Sequence, residues 1–366
     1  MISSIRIQGY RCFDRFEMGN LGRLNLLVGT NNSGKTSVLE ALYLLTSRGD
    51  PLVLRQLLMR RGERFVGDRN QRNINLEFDI SHLFTGHHAH PGSGFTLAAE
   101  NQTPELFLRF LIVERPLEGT KEFIEPDEAV SQTMRPVLQI EGHPRPITAA
   151  LPLTRVGCIA AETLDQFRRV RGRVSEGAPA QFITAESLDS DDLGSLWDRV
   201  ALTPSESLVL RALNFLDPDI ERIAAQSNPR YYGQRGGFII KRKGFEQPIP
   251  IGSMGDGMWR MMAMAIAITQ ARGGVLLVDE IDTGLHYTVM SDMWRLIFGA
   301  ALELDVQVFA TTHSYDCIQS LASVCVSQDN AGSIVTLQRI EPGKPRAIPY
   351  SESEIRVAAK ENIEVR

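Results

Sequence analysis

Gly29-Thr30-Asn31-Asn32-Ser33-Gly34-Lys35-Thr36 reads G-x-x-x-x-G-K-T, the pattern of a phosphate-binding loop. The run before it, Leu24-Asn25-Leu26-Leu27-Val28, is a short apolar strand. The run after it, Ser37 to Leu45, is apolar at helical spacing. Strand, glycine loop and helix in that order give the pattern its chemistry. The glycines let successive backbone N–H groups, from Asn31 through Ser33 and Gly34 to Ser37, converge on phosphate oxygens. The helix N-terminus adds its positive dipole end. Lys35 is placed to reach the β- and γ-phosphates, and Thr36 to ligate Mg²⁺.

Three stretches downstream supply further chemistry. Gly273-Gly274-Val275-Leu276-Leu277-Val278-Asp279-Glu280 is an apolar strand ending in two adjacent carboxylates. Successive side chains of a strand point to opposite faces. Asp279 can therefore join the Mg²⁺ shell while Glu280 faces the water that attacks the γ-phosphate. Val306 to Ser314 is a second apolar strand that ends in Thr311-Thr312-His313. His313 can hydrogen-bond a γ-phosphate or orient the attacking water, whereas alone it would read as structural. Ile251-Gly252-Ser253-Met254-Gly255-Asp256-Gly257 precedes a long apolar helix predicted over Met258 to Ala271. Ser253 and Gly255 sit where free N–H groups and a hydroxyl can hold an anion, or where a serine simply caps a glycine turn.

Residues 2–8 and 12–18 predict a hairpin split by Gly9-Tyr10-Arg11. Arg11 stands just ahead of the loop strand and reads either as a side chain reaching nucleotide phosphates or base, or as a surface arginine. Pro51 can open a helix over Leu52 to Met59, followed by a basic cluster of Arg60, Arg61, Arg64, Arg69 and Arg72. Strands are predicted at 74–80, 95–100, 106–113 and 121–125 as an antiparallel meander. Between them His82, His87, His88 and His90 lie in a Gly/Pro turn with no adjacent carboxylate or thiolate, and read as a solvated loop. From 126 to 180 prolines break the pattern, leaving short strands at 137–140 and 156–160. Arg168, Arg169, Arg171 and Arg173 form a second basic patch, and Lys241, Arg242 and Lys243 a third, at a hairpin tip. Such patches more often mark a solvated face than nucleic-acid binding. A strand at 181–184 leads to a helical stretch over 187–216, started by Asp189, Asp191 and Asp192, with Pro204 opening its second helix. Further strands are expected at 219–225, 230–233 and 237–242. The tail after Ile334 reads as a strand, a proline turn, a second short strand and a helix.

Charged residues are 23% of the chain and the formal charge is −5, which gives no support to a protein coated in nucleic acid. No apolar run approaches the roughly 20 residues of a membrane span, and Met1-Ile2-Ser3-Ser4-Ile5-Arg6 carries no secretory pattern. The scattered Cys12, Cys158, Cys317 and Cys325 suit a reducing cytoplasm.

The order of these motifs resembles the ATP-binding-cassette type of ATPase found in SMC and RecF proteins. Ile5-Arg6-Ile7-Gln8-Gly9-Tyr10-Arg11-Cys12-Phe13 and Val28 to Ala41 are similar to that group. Asp279-Glu280-Ile281-Asp282-Thr283-Gly284-Leu285-His286 resembles the OLD-like branch of AAA-type ATPases. The resemblance implies an α/β fold: an ABC-type P-loop ATPase with an antiparallel β-meander lobe, a mixed central sheet flanked by helices, and a small helical insertion. Residues 1–185 would form a first lobe, 186–218 the insertion and 219–366 a second lobe. It implies ATP and Mg²⁺ as ligands, with Lys35 and Thr36 on phosphate and metal, Asp279 on the metal and Glu280 as general base. Ser253 and Gly255 would act as the signature that completes the opposite subunit's site, Asp282 as an inter-subunit aspartate and His313 as the switch histidine. A further glutamine at the metal is expected, with Gln181 and Gln56 as candidates. Ser253-Met254-Gly255-Asp256 departs from the usual S-G-G-Q or S-x-G-E. No heptad run predicts a coiled-coil arm, and residues 314–366 are too few for the Toprim nuclease domain of OLD nucleases.

Three functions compete. One is a cytoplasmic homodimeric or higher-order ATPase that senses or scaffolds in phage defence, with a separately encoded effector such as a Toprim nuclease. The second is a RecF-like clamp on DNA, standing on the basic clusters. The third, a transport subunit, sits poorly with the N-terminal hairpin.

Overall fold

The computed structural model describes residues 1–66, 76–101, 105–116, 134–143, 147–154, 156–170, 178–184, 190–226, 237–326, 334–361 and 363. It divides into two compact units. The first comprises Met1–Ser3, Met18–Leu39 and Gly177–Arg366, and the second Ser4–Glu17 and Glu40–Glu176. The units are thus interleaved in sequence, where the sequence reading drew three successive segments.

The first unit is built on a six-stranded sheet. Its order is β11 (Ala180–Ile183), β15 (Val275–Val278), β16 (Gln307–Thr311), β3 (Leu24–Val28), β17 (Val335–Arg339) and β18 (Ile348–Ser351). The first five strands run parallel and β18 antiparallel. Every residue of β3, β15 and β16 is buried. Continuous burial is what a parallel strand covered on both faces requires, and it explains the unbroken apolar runs before Gly29 and Asp279. Helices α6 (Asp256–Gln270), α7 (Tyr287–Glu303), α8 (Tyr315–Val326) and α9 (Glu352–Lys360) supply most of the covering side chains. α4 (Ser190–Trp197) and α5 (Glu206–Asn214) fall in the predicted helical stretch, and Trp197, Leu208, Val209 and Leu213 join the same core. α5 starts two residues after Pro204, and Asp189 lies outside the described residues. A small sheet of β12 (Ile220–Ala225), β13 (Phe238–Arg242) and β14 (Ile249–Pro250) completes the unit.

Two buried amides fix the register of β3. Asn25 Nδ2 donates to Gly22 O at 2.9 Å and Val308 O at 3.1 Å, while its Oδ1 accepts from Thr336 Oγ1 at 2.9 Å. Gln307 Nε2 donates to Ile2 O and Gly22 O, both at 2.8 Å. A buried amide this fully bonded penalises any slip of the strand, because a slip would leave its groups unpaired.

The second unit carries the meander. Its sheet runs β2 (Phe13–Met18), β1 (Ile2–Tyr10), β6 (Gly94–Asn101), β7 (Leu106–Pro116), β8 (Met134–His143) and β9 (Ile147–Pro152), antiparallel from β6 to β9. Phe95 and Phe110 stack at 4.4 Å beneath it. A three-stranded sheet follows the order β10 (Cys158–Ala160), β5 (Leu76–Asp79), β4 (Arg64–Val66). α1 (Lys35–Thr46) starts in the first unit and continues into the second. α2 (Pro51–Arg60) has Pro51 in its first turn and is capped by Asp50, whose Oδ1 accepts from Leu52 N at 2.9 Å. α3 (Ala161–Val170) occupies the expected basic segment as far as residue 170.

β9 was not expected, and β8 is much longer than the 137–140 predicted. Pro152 is the last residue of β9, where a missing N–H is tolerated, and Pro136 is the third residue of β8, just before its pairing with β9 begins at Val137. The strands expected at 121–125 and 230–233, and Arg69, Arg72, Arg171 and Arg173, lie outside the described residues.

Candidate nucleotide-binding and catalytic site

The carboxyl ends of β3, β15 and β16 converge in the first unit, and Lys35, Thr36, Asp279, Glu280, Asp282 and His313 collect there. The loop leaves β3 through Gly29 at φ +145, where an added Cβ would lie 2.2 Å from Ile340 O. Asn32 at φ 60 and Gly34 at φ 98 are also left-handed. This is the winding that turns consecutive N–H groups inward. Asn31 and Asn32 are exposed, whereas Ser33, Lys35 and Ser37 are buried. Lys35 Nζ donates to Gly29 O and Thr30 O, each at 2.8 Å, so the ammonium lies within the curl of the loop. Burial lowers its pKa, with Asp279 and Glu280 pulling the other way. Ser33 Oγ is buried without a hydrogen-bond partner, an orphaned polar atom where a phosphate oxygen would satisfy it.

Thr36 Oγ1 stands 3.0 Å from Asp279 Oδ2 and 3.3 Å from Oδ1. A hydroxyl beside a carboxylate is the hard-oxygen donor set that suits Mg²⁺. The residues fit that ion: Thr36 and Asp279 would hold it, and among the described residues no group of three or more His, Cys, Asp and Glu forms a competing cluster. Thr311 was not singled out from the sequence, yet it ties this corner together. Its Oγ1 donates to Asp279 Oδ1 at 2.6 Å and accepts from Glu280 N at 2.8 Å.

Glu280 follows the strand end at φ 50, and its exposed carboxylate accepts from Thr283 Oγ1 at 3.2 Å. Asp282 Oδ1 accepts from the fully buried Thr312 Oγ1 at 2.5 Å, so the two turns are pinned to each other. His313 follows directly. Burial holds its pKa below the ordinary value, Lys35 adds to that, and the three carboxylates oppose it. The net effect keeps the imidazole neutral near neutral pH, able to donate from one nitrogen and accept at the other.

Arg260 is the second residue missed from the sequence. It sits in the otherwise apolar α6, is 6% exposed, and spends its guanidinium on backbone carbonyls. Nη1 donates to Thr184 O at 2.7 Å, and Nη2 to Asp279 O and Glu280 O, both at 2.9 Å. Burial lowers its pKa to about 10, against the pull of Asp279, Asp282 and Glu280. The lone charge in the run Met258 to Ala271 was the available signal.

Ser253 and Gly255 stand apart from this cluster in chain position but share the unit. Ser253 is exposed on the short 3-10 turn Ile251–Met254, and Gly255 takes φ 95 at the N-cap of α6. An added Cβ at Gly257 would lie 3.2 Å from Gly284 O, so the start of α6 packs against the turn after Asp282.

Arg11 lies in the second unit, at φ 53 between β1 and β2. Its Nε donates to Glu40 Oε2 at 2.9 Å, and Nη1 donates to Glu63 Oε1 and to His82 O. The side chain read as a phosphate or base contact is therefore held by two carboxylates, with Nη2 buried and unpartnered. Of the expected glutamines, Gln181 lies on β11, and Gln56 Oε1 accepts from Tyr43 OH at 3.0 Å.

Comparison with known proteins agrees with this geometry. Residues 1–125 match the AAA ATPase domain family. Residues 168–316 match an AAA domain family whose description names the AbiEii toxin of a type IV toxin–antitoxin system. An ATP/GTP phosphatase of Helicobacter pylori is 22% identical over 364 residues, covering 90% of both chains. Among solved structures, an SMC head bound to the C-terminal winged-helix domain of ScpA superposes with a TM-score of 0.50 at 14% identity, covering 96% of this chain and 98% of that one. An SMC head with an extended coiled coil from Pyrococcus furiosus gives 0.51 at 12% identity, covering 99% of both. No described helix is long and apolar enough to cross a membrane. With the phosphate loop, paired carboxylates and histidine on adjacent strand ends, the chain is an ATPase that carries AAA-type domains over residues 1–125 and 168–316 and shares the fold of the SMC head.

Proposed function

We propose that two copies of this chain close around ATP and hydrolyse it at composite sites, and that the closed assembly is the signalling state of a defence system with a separately encoded effector. The observation that carries the reading is the placement of Ser253. It is exposed on the short turn that precedes α6, where a second chain would be able to reach it. Lys35, Glu280 and His313 of one copy and Ser253 of the other would make one site.

In that site the loop N–H groups and Lys35 bind and orient the phosphates. Glu280 accepts a proton from water as its oxygen bonds to the γ-phosphorus and the bond to the β-phosphate oxygen breaks. The neutral His313 orients that water or donates to the γ-phosphate. Mg²⁺, when bound by Thr36 and Asp279, supplies charge neutralisation to the phosphates. Asp279 is held in place by Thr311, and Arg260 holds the backbone that carries both carboxylates.

The toxin named in one matching family supports a defence role and a partner that restrains or executes toxicity. The clamp reading finds less footing, because Arg61 is spent on Glu40 and Arg242 on Asp217. A Glu280→Gln variant tests the core of the proposal. It should lose turnover by about 10²-fold or more, the scale of general-base catalysis, and accumulate as an ATP-dependent dimer by light scattering. Parental phosphate release, or a monomer in saturating ATP, would sink it.

A further inference from the structure

The histidine loop after β5 holds an arrangement that its sequence did not disclose. His82 Nδ1 and His87 Nδ1 lie 3.1 Å apart, with the ring centroids at 5.1 Å and the rings inclined at 62°. We propose that these two nitrogens form a site for a divalent transition-metal ion of the zinc class, separate from the hard-oxygen corner at Thr36 and Asp279.

Imidazole binds zinc at about 2.0–2.1 Å, and two such bonds meeting at right-angle to tetrahedral angles set their nitrogens roughly 2.9–3.4 Å apart. The observed separation is that of a hydrogen bond between the two nitrogens, whose shared proton a metal would displace, and it falls in that window without moving either ring. The second observation is a carboxylate. Asp79 Oδ2 lies 3.7 Å from His82 Nε2, on the far side of the ring from Nδ1. Metal-bound histidines characteristically turn their other nitrogen toward a carboxylate, which fixes the tautomer and raises the basicity of the ligating atom. Asp79 is itself held, accepting from Ser81 N at 2.8 Å. The sequence reading dismissed a metal here because no carboxylate was adjacent in the loop; β5 delivers one.

Both rings are exposed, so an ion and its waters can reach them. Two imidazole nitrogens favour zinc, nickel or copper over magnesium. Among the described residues no group of three or more protein ligands converges, so water completes the shell and binding is that of a two-histidine chelate. His90 does not compete, since its Nδ1 lies 3.1 Å from both Pro91 O and Ser93 Oγ.

The loop is stitched to the turn between β1 and β2. Arg11 N donates to Leu83 O at 2.9 Å, Thr85 N to Gly9 O at 3.0 Å, and Arg11 Nη1 to His82 O at 3.3 Å. A bound ion would clamp the loop that holds that turn in place.

The test uses the full chain without an affinity tag, stripped with EDTA and free of nucleotide. Zinc chloride is titrated by calorimetry and by thermal unfolding, and the histidine ring resonances are followed by NMR. One equivalent should bind, the melting temperature should rise, and the resonances of His82 and His87 should shift together. The pair H82Q/H87Q should weaken binding at least tenfold, while H88Q/H90Q should bind as the parent does. No binding up to millimolar zinc, unchanged binding in H82Q/H87Q, or loss in H88Q/H90Q would overturn the proposal. The NMR shifts decide the matter in the parental protein even if a variant fails to fold; shifts confined to His88 and His90 would also overturn it.

Discussion

Glu280 holds φ 50, a conformation that a non-glycine residue keeps only when its surroundings enforce it. The enforcers are visible: Thr311 Oγ1 takes its N–H and Arg260 takes its carbonyl. The carboxylate of the proposed base is thus aimed by its own backbone. Its neighbour His313 carries a pH signature. Its pKa is lowered from 6.5 by burial and by Lys35, so the imidazole stays neutral as pH falls past that value and protonates only below it. A mechanism that needs neutral His313 should therefore show an acid limb in kcat/KM with its midpoint below 6.5, and His313→Gln should lower the rate and remove the limb. A limb that persists in that variant would assign it to another group.

At the scale of elements, α6 joins two parts of the chemistry. Its first turn presents Gly255 beside Ser253, and one turn later Arg260 grips the backbone of Asp279 and Glu280. Replacing Arg260 with Met keeps much of the volume but removes a charged donor from three part-buried carbonyls. Unfolding in urea should show a loss of about 3 kcal/mol, on the scale of unmade buried hydrogen bonds. Steady-state kinetics should show kcat falling more than KM rises, because the carboxylates are displaced while the phosphate loop is intact. What the sequence disclosed at this scale follows a physical rule. β3, β15 and β16 were legible because a parallel strand buried on both faces writes an unbroken apolar run, and the loops after them carry local motifs. Arg260 and Thr311 were not read, because their partners are backbone carbonyls and a carboxylate supplied from other strands. Arg11 read as exposed or phosphate-bound because the carboxylates that bury it, Glu40 and Glu63, are remote in sequence. β9 was hidden by the prolines around it, of which Pro136 sits within β8 and Pro152 ends β9 without breaking either.

At the scale of the molecule, the proposed function needs a second copy. Ser253→Arg should leave ATP binding to the loop intact while abolishing the ATP-dependent dimer and cutting turnover by about 10²-fold, the scale of losing one transition-state donor. Nucleotide binding by fluorescence and mass by light scattering separate the two effects; full turnover would mean that one chain suffices. The place of β3 in the sheet has a different consequence. It spans Leu24–Val28, yet its neighbours on either side are β16 and β17, which follow it by about three hundred residues. Pairings of such long sequence separation form late. A nascent chain emerging from the ribosome therefore carries the glycine loop through the whole stretch between β3 and β16 without the framework that shapes it. Prematurely terminated products ending before β16 would lack Thr311, His313 and the strand that braces Asp279. The loop is in this sense silent until β16 and β17 have joined β3.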